Sequence, residues 1–457
     1  MNKIFRHITI TFLSSIVLTS CGVVTKTYKQ PERLLAEGLY RDVNGKDSIS
    51  IAKRPWQELF SDQKLQQLIQ EGLDQNLDLK SAIERINMAQ ATLKQSKLAV
   101  YPSLNATAAV TLSGASGSPA TTIWQPYLSS VWEVDIWGKL KSSRKAALAS
   151  YLQTDAARRA IQTALIANIA NSYYTLLALD EQLTITRQTI QIREQDVESM
   201  TLLKESGIVT GAAVVQSKAN LYSAEVSIPD LQKSIRETEN ALCTLLGKAS
   251  GTIIRGTLAQ QVPQTDLKSG VSSQLLSNRP DVQEAEYALR EAFENVNVAK
   301  TAFYPSLSLS ASSGIASTNL TNFLENNLFY SLIGGLTQPI FNHGQIKANH
   351  KIAQAKQQEA FNSFKASLLI ACEEVSNALY AYQMASEKEL SRAKQLEALE
   401  KSVEFTKELL QYSSATNYTD VLTSEQSLLS AQLASVNDQV EKLQAVVELY
   451  RALGGGW

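Results

Sequence analysis

The hydrophobic positions of this 457-residue chain keep two periods, and the switches between them divide it into segments. A spacing of three and four dominates. From Lys139 to Ser206 the chain has neither proline nor glycine, and the same holds after Gly344 as far as Tyr412. An α-helix rises about 1.5 Å per residue, so each stretch predicts a helix on the order of 100 Å long, more than a compact domain needs. In the last segment Leu422, Leu429, Leu433, Val436, Val440, Leu443, Val447 and Tyr450 keep the 3–4 spacing, with Gln426 at the one polar step. Leu176, Leu179, Leu183, Ile190, Val197 and Met200 follow the same rhythm, interrupted by Thr186 and Arg193. Such heptad seams require partner helices.

Four short stretches, about 103–115, 123–137, 306–316 and 327–341, change to a period of two. Ala106, Ala108, Val110 and Leu112 alternate with Asn105, Thr107, Thr111 and Ser113. Leu128, Trp132, Val134 and Ile136 alternate with Ser129, Glu133 and Asp135. Leu307, Leu309 and Ala311 alternate with serines 306, 308, 310 and 312, and the fourth stretch is the least regular. Turn-rich loops, Gly114 to Thr122 and Ala316 to Asn326, separate the members of each pair. Strands of about ten residues with one apolar and one polar face suit a tilted crossing of a bilayer. A soluble sheet covered on one face by helices gives the same alternation. Trp124, Tyr127 and Trp132 form an interfacial girdle on the first reading and ordinary sheet packing on the second.

The order of segments occurs twice. Tyr101-Pro102-Ser103-Leu104 returns as Tyr304-Pro305-Ser306-Leu307, Gly138 matches Gly344, Val214-Val215 matches Val421-Leu422, and Leu246-Gly247 matches Leu453-Gly454. Such a period is far too long for a solenoid, so the chain is an internal duplication with halves 61–247 and 281–454. Each half predicts a helix (about 62–100 or 281–303), two strands, a very long helix and a last helix. Pro102 and Pro305 stop a helix where a strand must begin. Residues 248–280, with Gly251, Gly256, Pro263 and Gly270, read as a connector; 21–60 are similarly irregular, and 455–457 form a tail.

The N-terminus decides how the strands are to be read. Lys3 and Arg6 precede an apolar run from Ile8 to Leu18, which is too short to span a membrane, and Leu18-Thr19-Ser20-Cys21 follows. Residues 1–20 predict a secretory signal whose ending matches a lipobox, with Cys21 as the lipidated first residue of the mature chain; a chance cysteine after an ordinary signal is the alternative. Acyl chains would hold the N-terminus to a membrane without a spanning helix. A sheet in lipid must close, because an open edge leaves backbone groups unpaired away from water. Four strands cannot close alone. Two copies would make an eight-stranded barrel that side chains fill, and three a twelve-stranded barrel with a lumen.

Charge and candidate chemistry narrow the function. Lys and Arg number 43 against 44 for Asp and Glu, which argues against nucleic-acid binding. Cys243 and Cys372 have apolar neighbours and read as buried thiols. His343 and His350 have no acidic partner at metal-ligand spacing, Gly247-Lys248 lacks the rest of a phosphate loop, and no Gly-x-Ser-x-Gly elbow occurs. The expectation is no enzyme, no metal, and no cofactor beyond covalent lipid on Cys21.

At this point the residues carry a family resemblance. The marks are Trp56-x-x-Leu59-Phe60-x-Asp62-x-x-Leu65-x-x-Leu68-Ile69, Asn278-Arg279-Pro280-Asp281-Val282-x-x-Ala285-Glu286, the two Tyr-Pro-Ser-Leu segments, Asn417-Tyr418-Thr419-Asp420-Val421-Leu422, and Gln426 to Gln432. In this order, with the lipobox and the duplication, the chain resembles the TolC-like outer-membrane factors of tripartite efflux systems, in their lipidated, RND-linked branch. The resemblance implies an α+β membrane fold: a trimeric twelve-stranded β-barrel, four strands per protomer, continued by a long α-helical coiled-coil barrel. It implies a homotrimer anchored in the outer membrane and extending into the periplasm, where it meets a periplasmic adaptor protein and an inner-membrane RND-type pump. Drugs or other small toxic compounds would pass through unaltered. A collar would gather 22–60 and 248–280, and the duct would open by an iris-like movement of the inner helix pairs. The family's tip turns fall on Gly207 and on Ser414 and Asn417; Ser414 departs from the glycine usual there. Its periplasmic constriction falls on Asp420, with Thr423 at the next position. Helix capping by Asn417 and first-turn placement of Asp420 explain the same residues without a gate. A duct for type I protein secretion and a pore-less periplasmic tether are the alternatives, although the tether leaves the strands and the duplication idle.

Overall fold

The structure is a computed structural model that describes residues 24–31, 51–262, 278–319, 321, 323, 327–412 and 418–457. The expectations on Cys21, Ser414 and Asn417 lie outside these residues. The described elements of the first half are α1 (Trp56–Leu59), α2 (Gln63–Gln75), α3 (Leu77–Leu98), β1 (Ser103–Ser113), β2 (Thr121–Val134), α4 (Lys139–Glu205) and α5 (Gly211–Leu245). Those of the second half are α6 (Pro280–Thr301), β3 (Ser306–Ile315), β4 (Leu328–Thr337), α7 (Gln345–Tyr412) and α8 (Tyr418–Ala452). The chain divides into two compact units, each assembled from distant segments: 1–34, 84–156 and 283–366 in one, 35–83, 157–282 and 367–457 in the other.

The first unit holds the sheet. Its order is β1-β2-β3-β4, and every neighbouring pair is antiparallel, so each half contributes one hairpin and β2 joins β3 across the duplication. The strand-to-helix corner is fixed by side chains. Asp135 accepts from the backbone N–H of Leu140 at 3.0 Å and of Lys141 at 2.8 Å, satisfying donors that the first turn of α4 would otherwise leave open. Trp137 donates to the Pro305 carbonyl at 2.7 Å and its ring lies 5.0 Å from that of Tyr304. The described segment 24–31 is clamped as well. The Lys26 N–H donates to Asn297 Oδ1 at 3.0 Å, and Asn297 Nδ2 donates back to the Lys26 carbonyl at 2.9 Å.

The second unit is built on the helical seams. Leu65, Ile69, Ile166, Ile169, Leu176 and Leu242 are fully buried there. The two kinds of interruption in the seams turn out to be partners. Arg193, buried on α4, donates to Gln426 Oε1 on α8 at 2.9 Å and to the backbone carbonyl of Asn220 on α5. Thr186, also buried, returns its hydroxyl to the Gln182 carbonyl at 2.7 Å. Each polar step is thereby hydrogen-bonded, as burial demands.

One expected helix is divided. The stretch about 62–100 breaks at Asn76, which is buried and extended (φ −56°, ψ 129°). Its Oδ1 accepts from the Leu79 N–H at 2.9 Å, capping α3, and its Nδ2 donates to the Leu245 carbonyl at 2.9 Å, at the end of α5. Asparagine favours such side-chain-to-backbone bonds over a continuous helix, and periodicity does not register them. The second half repeats the arrangement with another residue. Arg279 donates to the Ala452 carbonyl at 2.9 Å, at the end of α8.

The two helix ends so capped are alike in backbone. Gly247 and Gly454 take positive φ (67° and 84°). At each, two reverse hydrogen bonds close the last turn, from Gly247 and Lys248 in one case and from Gly454 and Gly455 in the other. A Cβ on Gly247 would strike the Gln75 carbonyl, and one on Gly454 the Asn278 carbonyl, so both positions demand glycine twice over. Arg279 does more than Asn76. It is 3% exposed and ion-paired with Asp281 at 2.5 Å and Glu374 at 2.7 Å. Burial works against the charge on Asp281, but the Arg279 guanidinium outweighs it and holds that carboxyl below the usual carboxylate range.

Candidate functional site

The strand register sorts the sheet into two unlike faces. Residues opposite one another in antiparallel strands share a face, and successive residues alternate. One face carries Leu104, Val110 and Leu112 of β1, Trp124, Leu128 and Trp132 of β2, Leu307, Leu309 and Ile315 of β3, and Leu328, Tyr330, Leu332 and Leu336 of β4. Many of these are widely exposed, Leu104 at 72%, Leu332 at 80% and Tyr330 at 86%. Soluble proteins seldom leave so large an apolar area open to water. The other face carries Ser103, Asn105, Thr107, Ser129, Ser306, Ser308, Ser310, Ser312, Ser331 and Thr337, with Ile123, Tyr127, Val131, Phe329 and Ile333 among them.

Tyr127 therefore stands apart from the two tryptophans that the girdle reading joins to it. It lies on the hydroxyl-rich face, its ring 6.3 Å from that of Phe329, while Trp124 and Trp132 lie on the apolar face. An odd residue number in β2 puts it there, and a girdle of all three is ruled out by the period of two.

In the second unit the helix ends converge. Gly207 terminates α4 with φ +74°; its N–H donates to the Lys204 carbonyl and that of Ile208 to Leu203. This is the glycine-capped end that lets a chain reverse tightly. Met200 of α4, Val214 of α5, and Tyr418 and Val421 of α8 form one buried cluster, with Leu410 of α7 packed against it. The Gly207 turn and the start of α8 thus rest on a common core. Tyr418 and Val421 point into that core, whereas Asp420 and Thr423, one turn apart, lie exposed. Asp420 occupies the first turn of α8, and the Thr423 hydroxyl donates to the Thr419 carbonyl at 2.8 Å.

Two compact units with this sheet and these helix pairs have known counterparts. The model of the outer membrane efflux protein family matches residues 68–248 and 271–455. The chain belongs to that family. It is 28% identical over 447 residues to a probable outer membrane lipoprotein, SilC of Salmonella typhimurium, covering 96% of this chain and 97% of that one. It is 28% identical over 462 residues to TtgC, a toluene efflux pump outer membrane protein of Pseudomonas putida, covering 97% and 94%. A solved structure of CusC, described as forming a transmembrane channel, superposes with a TM-score of 0.85 at 28% identity, over 95% of this chain and all of that one. The family match falls in two stretches that correspond to the duplicated halves. Membership makes this an outer-membrane efflux channel of the CusC and TtgC type. Its apolar sheet face is the one suited to lipid.

One cluster beside the helix ends is invisible to family motifs. Asp196 of α4 and Glu425 of α8, 17% and 11% exposed, share the Lys407 ammonium of α7, which lies 2.6 Å from Glu425 and 3.7 Å from Asp196. Burial, and then the neighbouring Glu425 carboxylate, push the Asp196 carboxyl up to about 6. A carboxyl whose folded value exceeds its unfolded one favours the folded state when protonated, and that contribution is lost as pH rises through the window between the two. Here the window opens near the ordinary aspartate value of 3.8 and closes at about 6. Asp196→Asn, which keeps the shape without the charge, is expected to raise the thermal midpoint at neutral pH and to leave it nearly unchanged below about pH 4. Melting curves of the solubilised protein across this range check the outcome; equal effects at both ends would refute it.

Proposed function

We propose that the protein is the outer-membrane channel subunit of a tripartite efflux system. It passively conducts drugs or other small toxic compounds, handed on by a periplasmic adaptor and an RND-type inner-membrane pump, to the outside. The observation that carries the reading is a four-stranded sheet with a lipid-compatible face and no described strand beyond β1 or β4. In hydrocarbon each unpaired edge group costs several kcal/mol, on the order of the whole stability of a small domain when summed along a strand. The edges close if β1 of one copy pairs with β4 of the next. Such head-to-tail contacts form a ring when the rotation closes. Three copies make a twelve-stranded barrel wide enough for a lumen, with the hydroxyl-rich face inside.

Three further assignments belong to this reading. Cys21 carries the lipid that holds the N-terminus at the membrane, in keeping with the name of the SilC relative. Gly207, Ser414 and Asn417 form the turns at the periplasmic tip. Asp420 and Thr423, exposed on one face of α8, line the constriction there, where three copies of Asp420 favour cations over anions. No chemistry is performed on the cargo, and the barrel and helices supply only shape and lining.

Ethidium accumulation in a strain deleted for the gene tests the central claim. The intact chain is expected to restore low accumulation. Leu309→Lys is expected to fail, because a lysine on the lipid face costs about 2–4 kcal/mol near the bilayer midplane. Ser310→Lys on the opposite face should still insert. Normal insertion of both, or no rescue by the intact chain, would sink the proposal. Labelling with a radioactive fatty acid should disappear on Cys21→Ala. In planar bilayers the Asp420→Ala channel should lose cation preference; unchanged selectivity would remove Asp420 from the constriction.

A further inference from the structure

The four strands are almost without charge. Among their residues Glu133 alone carries a formal charge at neutral pH. The register places it opposite Ser308, on the hydroxyl-rich face. It is not alone there: Lys139 Nζ sits 2.8 Å from Glu133 Oε1 and 3.1 Å from Oε2. Both groups border a cleft of about 500 Å³ together with Ser306, Thr337, Asn342 and Asn349. Ser306 and Thr337 belong to the same face of the sheet as Glu133, so the pair opens to the polar side. Asp135 also borders this cleft, but its two oxygens are taken by the N–H groups of Leu140 and Lys141.

The position of Lys139 is unfavourable for its helix. It is the first residue of α4, whose first turn contains no acid, and a cation at a helix N-terminus opposes the dipole. Helix stability therefore gives no reason for it. The pair is also a poor stabiliser, since the side chains are 48% and 37% exposed and ion pairs of that kind add little. What the pair does accomplish is cancellation of the one charge that the strands themselves carry, while the charge of Asp135 is turned to the N-terminus of α4.

We infer that Glu133 and Lys139 together keep the lumenal wall at the sheet-to-helix junction free of a charge preference. With both present, each copy contributes a neutral pair, three copies make a neutral ring around the lumen, and passage there is indifferent to the sign of the cargo. With one removed, three like charges face a polar passage, the arrangement by which rings of side chains select ions. The assignment rests on the channel reading above, because only a closed barrel turns this face into a lumen.

The test is the reversal potential of the purified full-length protein in planar bilayers under a potassium chloride gradient. Glu133→Gln is expected to shift selectivity toward anions, Lys139→Gln toward cations, and the double variant to return close to the wild type. The series repeated in Asp420→Ala separates this site from the tip, since shifts that persist originate at the sheet. Single variants that both match the wild type, or that shift in the same direction, would overturn the inference while leaving the channel reading intact. A wild-type protein that conducts nothing would instead remove the channel reading, and this inference with it. Thermal melting of the three variants should match the wild type, which confirms that any shift arises from charge.

Discussion

A β-strand in lipid has no water to satisfy its outer edge, and this constraint governs everything else about the chain. Four strands with a broad apolar face cannot be a finished object in a membrane. The duplication meets part of the demand, because two hairpins, one per half, join through β2 and β3 into a single sheet. It leaves β1 and β4 as unlike edges, which on the proposed reading are satisfied by other copies in a head-to-tail ring. On that reading assembly is a condition of insertion. The lining and the membrane surface follow from the same register, since closing the ring commits one face to lipid and the other to the lumen.

The helical unit solves a related problem with different means. Long seams bury aliphatic side chains over many turns, and a seam that is wholly apolar would slide as readily as it packs. The polar steps prevent this. Arg193 reaches Gln426 and the Asn220 carbonyl, and so ties α4, α8 and α5 in one register. A buried polar contact that fails in every other alignment specifies one alignment, as an asparagine does in shorter coiled coils.

Much of this was legible in the amino-acid order because it depends on period. The two long helices, the alternating strands and the duplication are all statements about spacing, and the strands' two faces follow from counting by two. Features that depend on single hydrogen bonds were not legible. The break at Asn76 requires knowing that the Leu245 carbonyl lies within reach. Tyr127 was misgrouped because composition suggested an aromatic belt while parity put the ring on the other face. The cluster of Asp196, Lys407 and Glu425 joins three helices and carries no local signature. Of the residues drawn from the family pattern, Gly207 takes the positive φ of a helix end and Asp420 and Thr423 are exposed, neither of which a period encodes.

The capping pair at the ends of α5 and α8 has a consequence for how the halves tolerate substitution. Asn76 fastens one end through a neutral amide, and acid has nothing there to discharge. Arg279 fastens the other through a buried guanidinium on the Ala452 carbonyl, and that charge is itself held by the carboxylates of Asp281 and Glu374. The same helix end is thus closed by a neutral amide in one half and by a buried, ion-paired cation in the other. A neutral substitute fits the first end, whereas at the second any neutral replacement of Arg279 leaves two carboxylates without that cation.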